Sequence, residues 1–162
     1  MKSNKVIKKM MLFLLFLAII CTVIWLANYL QYQKYSFGYE DYGLCLGKTT
    51  EDYQYSLKYP GFASFTGNFA ISNKNDTIGI IIWPKPFLAG NFEEYKTGLR
   101  IYDNDINHGY MFYVNSHMEY LPHKKNYFSE EDEAYIRKFL KENKNEINKM
   151  YSAAKKEWRL AD

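Results

Sequence analysis

The longest hydrophobic block of the chain is at its start. Positions 10–30 are almost wholly apolar, and no charged residue falls between Met10 and Gln33. Wound as a helix, 21 such residues match the roughly 30 Å hydrocarbon core of a bilayer. The block exceeds the apolar region of about 7–15 residues found in a secretory signal. Trp25 and Phe16 also stand where a small residue would have to precede a cut after Ala27 or Ala18. The pattern therefore predicts a retained signal-anchor helix over 10–30. Cys21 follows Ala18, Ile19 and Ile20, without the small neighbour that lipidation would require, and is expected to be an ordinary helix cysteine.

Beyond the block the period shortens to two. In "SFTGNFAIS", Phe65, Gly67, Phe69 and Ile71 alternate with Thr66, Asn68 and Ala70; "NKND" has turn composition, and "TIGIIIW" is a β-branched run stopped by Pro84. This predicts a hairpin whose second strand, apolar without interruption, is central and covered on both faces. "PKPFLAGNFEEYKTG" reads as a long loop. "LRIYD", joined through "NDINHG" to "YMFYVN" and through "SH" to "MEYLP", predicts a meander with Tyr110, Phe112 and Val114 on one face, continued by Met118 and Tyr120. Four to five antiparallel strands result. Residues 31–58 show no clear period and are expected to form a stalk and an irregular start to the domain.

The last segment changes period again. Ser129 is placed as an N-cap with Asp132 three residues on, acidic residues fill the first turn, and Lys155, Lys156 and Arg159 fill the last. Ile136, Phe139, Leu140, Ile147, Met150, Tyr151, Ala154 and Trp158 recur at three and four, predicting one helix of about 28 residues with a single apolar stripe. The expected fold is α+β: a transmembrane helix, then a small antiparallel sheet packed on a long C-terminal helix. The expected organisation is a basic cytoplasmic tail (1–9), an anchor (10–30), a stalk (31–58) and an extracytoplasmic domain (59–162).

Charge refines this picture. Lys2, Lys5, Lys8 and Lys9 precede the block, so the N-terminus is expected in the cytoplasm and the rest outside. The whole chain carries a net +3, but residues after 30 hold 17 basic and 18 acidic side chains, net −1. No basic face is left for nucleic acid. Cys45 is the only cysteine in this part, so it contains no internal disulfide.

Candidate chemistry is sparse. Asp103, Asp105 and Asn107 in "DNDINHG" space oxygen ligands as a calcium loop does, yet Gly109 and Val114 stand where that loop needs an earlier glycine and a bidentate Glu. The same residues suit a plain turn. His108, His117 and His123 are clustered in sequence, but His108 and His117 are expected at opposite ends of a strand, too far apart to share a zinc ion. No nucleophile elbow, carboxylate dyad or phosphate-cradling loop is present, so no cofactor and no enzymatic activity are expected. Fifteen Tyr from Tyr32 onward favour recognition by surface contact, with Trp83, Lys85, Phe87 and Tyr95 around "WPKPF" as binding candidates. The expected role is a membrane-anchored binder of another protein, an envelope partner or immunity-type inhibitor. The alternative is a calcium-dependent module or enzyme built on Asp103, Asp105 and Asn107.

Overall fold

A computed structural model describes residues 2–62, 66–84, 95–103, 108–122 and 128–160. Helix α1 runs over Lys2–Gln33. Eight strands follow: β1 (Glu40–Asp41), β2 (Leu46–Thr49), β3 (Tyr53–Lys58), β4 (Asn68–Asn73), β5 (Ile78–Pro84), β6 (Tyr95–Asp103), β7 (His108–Val114) and β8 (Tyr120–Leu121). Helices α2 (Glu130–Glu142) and α3 (Lys144–Trp158) close the chain. The strands form one antiparallel sheet in chain order, each paired with its successor.

The fold is α+β as expected, but the sheet has eight strands instead of four to five. Three of the extra strands come from residues 31–58. In β3, Tyr53, Tyr55 and Leu57 point toward the core while Gln54 and Ser56 do not, an alternation disguised by tyrosine serving as the apolar member. β1 has only two residues, too few for any period to register. The predicted link "SH" between β7 and β8 is in fact a five-residue turn. Asn115 organises it by accepting from the N–H groups of His117 and Glu119, both at 2.9 Å, and Met118 takes a left-handed conformation (φ 59°).

Register puts the core in cross-strand rows on one face. Leu57, Phe69, Ile82, Thr97, Val114 and Tyr120 stand side by side; above them lie Tyr55, Ile71, Ile80, Leu99 and Phe112. All of these are buried. They are covered by the apolar stripe of α2 and α3, whose Ile136, Ile147, Met150, Ala154 and Trp158 are fully or almost fully buried. β5 is central, as its run predicts, but only Ile78, Ile80 and Ile82 are capped by helix; Ile81 and Trp83 lie half-buried on the other face.

The C-terminal segment is two helices instead of one. Asn143 both donates its backbone N–H to the Phe139 carbonyl (2.9 Å) and turns its side-chain amide onto the same oxygen (3.0 Å), leaving the helical path at ψ 14°. At the start of α2, Ser129 and Asp132 form a reciprocal capping box, each side chain bonded to the other's N–H at 3.1 Å. Asp132 also accepts from the Tyr110 hydroxyl (2.9 Å), so the cap fixes α2 against β7.

Trp158 ties the layers together. It stacks on Phe69 (4.8 Å, 14°), meets Tyr55 edge-on (5.7 Å) and donates its indole N–H to the Tyr39 hydroxyl (3.0 Å). Tyr39 donates in turn to Glu157 (3.2 Å), whose carboxylate is paired with Lys48 on β2 (2.7 Å).

α1 does not end at a loose linker. Tyr32 is buried in the domain core, its ring tilted against that of Phe69 at 5.1 Å and seated over Gly67, where a β-carbon would collide with the ring and with the Lys58 carbonyl. Asn28 and Gln31 are buried too. Tyr29 stacks on Tyr59 (4.6 Å), and Trp25 donates its indole N–H to the Pro60 carbonyl (3.0 Å). Tyr32 is therefore an internal residue of the domain, because the end of α1 reaches Phe69 on β4.

Trp158→Ala is expected to cost about 3–5 kcal/mol of stability, measured by denaturant unfolding, because it empties the centre of the core and removes the indole N–H that the Tyr39 hydroxyl accepts. Burial and then the neighbouring Glu157 carboxylate hold Tyr39 and Tyr55 protonated above the ordinary tyrosine range. The fold thus favours the neutral phenols. Their contribution is complete below the unfolded value of about 10 and is lost as pH rises through the raised folded values. The denaturant midpoint is expected to hold from about pH 7 to 9 and fall above about pH 10.

Candidate functional site

The face of the sheet turned away from the helices is built on a different scale. Register sets Gly47, Ser56, Ala70, Ile81 and Gly98 side by side across β2 to β6, continuing to Tyr113 on β7. Next to this row lie Gln54, Ser72, Gly79 and Arg100. Small side chains on adjacent strands leave a trough, and part of it forms a pocket of about 350 Å³ bordered by Tyr42, Cys45, Ser56, Ala70, Ile81 and Arg100.

Two glycines seat an aromatic ring at either end. Trp83 lies across Gly98, whose added β-carbon would meet the indole at 2.7 and 2.8 Å, and its ring is 5.9 Å from that of Tyr113. Tyr42, in the β1–β2 turn, lies over Gly47 in the same way. Glycine inside a strand permits such close approach because it has no side chain of its own. Tyr42 remains largely exposed and donates to Glu40 (3.1 Å); this bond to a carboxylate raises the pKa of its phenol.

Arg100 supplies the charge of the trough and is paired with Asp76. Asp76 adopts a left-handed conformation (φ 54°) in the β4–β5 turn. Asn73 holds that turn by accepting from the N–H groups of Thr77 (2.9 Å) and Ile78 (3.1 Å). The arrangement provides aromatic rims, a floor of small residues and one neutralised ion pair. It suits contact with a surface or a chain segment, and among the described residues that border it no nucleophile is paired with a base.

Of the binding candidates read from the sequence, Trp83 is placed on this face. Lys85 and Phe87 lie outside the described residues. Tyr95 opens β6 opposite Pro84, with its side chain outside the described part. Among the metal candidates, Asp103 ends β6 opposite His108, while Asp105 and Asn107 lie outside the described residues. His117 is exposed in the turn after β7, beyond the end opposite His108. Among the described residues no three His, Cys, Asp or Glu side chains gather as a metal site would require.

Sequence reasoning missed Tyr42, Gly47, Gly98, Arg100 and Tyr113. Residues 95–98, read from the sequence as the end of a loop, in fact open β6, and a glycine inside a strand, here Gly98, marks a place where another group comes close. Its partner Trp83 belongs to another strand and could be assigned only by register.

Comparison of the chain with protein-family models, with curated proteins and with solved structures finds no match.

Replacing Gly98 with Ala is expected to push the Trp83 indole off its seat. In fluorine NMR of 5-fluorotryptophan-labelled protein, the Trp83 resonance should shift while that of Trp158 stays in place.

Proposed function

We propose that this is a single-pass membrane protein with a cytoplasmic N-terminus, displaying its α+β domain outside the cytoplasm, where the open face of the sheet binds another protein. The anchor half rests on α1. Its residues 6–33 are long and apolar enough to cross a bilayer, and none of the most apolar stretch is buried in the protein. Side chains from Val6 to Ile20 are exposed all round the helix, which in water would leave them without any apolar partner. An N-terminal helix of this kind serves as an anchor or as a signal sequence.

Retention is supported by the far end of the same helix. Asn28, Gln31 and Tyr32 are built into the domain, and the Asn28 amide bonds back to the Ile24 carbonyl (3.2 Å) across the position where a signal would be cut. Cutting there would leave a helix of about six residues, too short to hold itself together. Orientation is supported by the four lysines that precede the apolar run, against a first positive charge after it at Lys34.

The observation that carries the binding half is the pairing of aromatic rims, Tyr42 exposed and Trp83 and Tyr113 half-buried, with a floor made mostly of small residues. Trp83, Tyr113 and Tyr42 offer rigid amphipathic area of the type that dominates protein interfaces. The near-neutral charge of the domain fits a partner recognised by shape and aromatic contact more than by charge.

A reporter active only outside the cytoplasm, fused after Asp162, is expected to work; a silent fusion beside an active cytoplasmic reporter would overturn the orientation. For binding, the full chain in detergent is the bait for affinity capture from its source membranes, followed by titration of the captured protein. Trp83→Ala is expected to weaken that complex by at least about 2 kcal/mol, about 30-fold in Kd. Equal capture by both would remove the open face from the interface.

A further inference from the structure

We infer that the lower end of the sheet is seated in the outer lipid leaflet, with residues 59–62 and Leu44 among the headgroups and first acyl carbons beside α1. This rests on the anchor reading above, and the argument is one of height along the helix.

α1 meets the sheet at one end, where β3 finishes and β4 begins. Trp25 is level with Pro60 and Phe62, Tyr29 with Tyr59, and Tyr32 with Gly67 and Phe69. Among the described residues, the part of the domain that touches α1 therefore begins at the level of Trp25. On the side of α1 turned away from the sheet, however, the apolar surface continues to Leu26 and Leu30, which are 45% and 49% exposed. Leu30 is five residues above Trp25, about 7.5 Å at 1.5 Å per residue. Any leaflet that covers Leu30 must also reach the segment 59–62.

The span below the domain leads to the same conclusion. Residues 10–24, between Lys9 and Trp25, extend only about 22 Å as a helix. A hydrocarbon core is about 30 Å thick, so several ångströms of it have to be met by the domain's own lower end.

The chemistry of the segment beside α1 fits lipid, while the charged and polar side chains at the same end of the sheet, Asp41, Lys58, His117 and Glu119, are exposed and suit the headgroup layer. Residues 59–62 read Tyr, Pro, Gly, Phe, without a charge. Pro60 has no N–H to satisfy, and its carbonyl is capped by the Trp25 indole, so the loop tip presents little unsatisfied backbone to an apolar medium. Phe62 is 55% exposed although its ring meets Trp25 edge-on (5.6 Å). Register places the β1–β2 turn at the same end: Leu46 pairs with Leu57, so Leu44, two residues further, is level with Tyr59. Leu44 is 89% exposed, without a protein surface to cover it. Trp25, Tyr29, Tyr59 and Phe62 together form an aromatic collar of the kind found at a membrane interface.

The test uses the full chain with both native cysteines replaced by Ala, reconstituted into phosphatidylcholine vesicles with and without a lipid carrying a quencher near the top of the acyl chain. Single cysteines at Leu44→Cys, Phe62→Cys, Leu17→Cys within the span and Lys74→Cys in the β4–β5 turn carry an environment-sensitive fluorophore. The expected result is quenching and blue-shifted emission at 44 and 62 on the scale seen at 17, with neither at 74. Quenching at 17 with 44 and 62 behaving like 74 would overturn the leaflet seat while leaving the anchor intact. Absence of quenching at 17 would overturn the anchor reading and this inference with it. Agreement between 44 and 62, which sit on different loops, guards against local disturbance at either one.

Discussion

Phe69 is the residue on which the rest of the structure depends. Its ring, in the fourth strand of the sheet, takes Trp158 from the last helix on one side and Tyr32 from the first helix on the other. Tyr35 closes on it as well, at 5.7 Å. The first and last helices therefore share one contact on the sheet, and the whole chain between them is closed into a single body. Aromatic pairs of this geometry contribute beyond the area they bury. They also fix direction, because a ring seated between a glycine and another ring has few alternatives. Gly67 is indispensable here: without the space it leaves, Tyr32 would not reach Phe69.

The two faces of the sheet follow from one economy of side-chain size. On the covered face, isoleucine, leucine, phenylalanine and tyrosine fill the gap to the helices, and their burial supplies the main stabilising force. On the other face no helix among the described residues receives large side chains, and most of the register positions are glycine, serine and alanine, with Trp83 and Tyr42 seated over glycines at the ends. The result is a surface that is stable without being packed. The exposed ion pairs, Arg100 with Asp76 and the helical pairs of α2, contribute little, since such pairs are worth about 0–1 kcal/mol.

The join between α1 and the domain changes how a recognition surface would be presented. A flexible stalk would let the domain tumble above its attachment point. Here the helix enters the core, with Asn28, Gln31 and Tyr32 buried, so the orientation of helix and sheet is set by packing. The residues between 31 and 58 that lack an obvious period are the ones that make this possible. They finish the helix, turn the chain back through Ser36 and Tyr39, and lay down β1 to β3 at one edge of the sheet.

Periodicity in the sequence by itself determined the apolar helix, the hairpin around "NKND", the meander faces at Tyr110, Phe112 and Val114, the Ser129 cap and the stripe on the C-terminal helices. These are local features: each is written in neighbours two, three or four residues apart, and each is backed by its own caps and turns. Strands as short as β1, and β3 with tyrosine as its apolar residue, carry too little contrast to be read that way. The break at Asn143 turns on one amide choosing a carbonyl over water. What only the tertiary structure decided is everything that joins distant positions: Trp83 over Gly98, Tyr42 over Gly47, Tyr32 between Gly67 and Phe69, and Trp25 against Pro60. The physical reason is that strand register and helix docking are selected by the packing of the whole core at once, and no window of sequence contains both partners of such a contact.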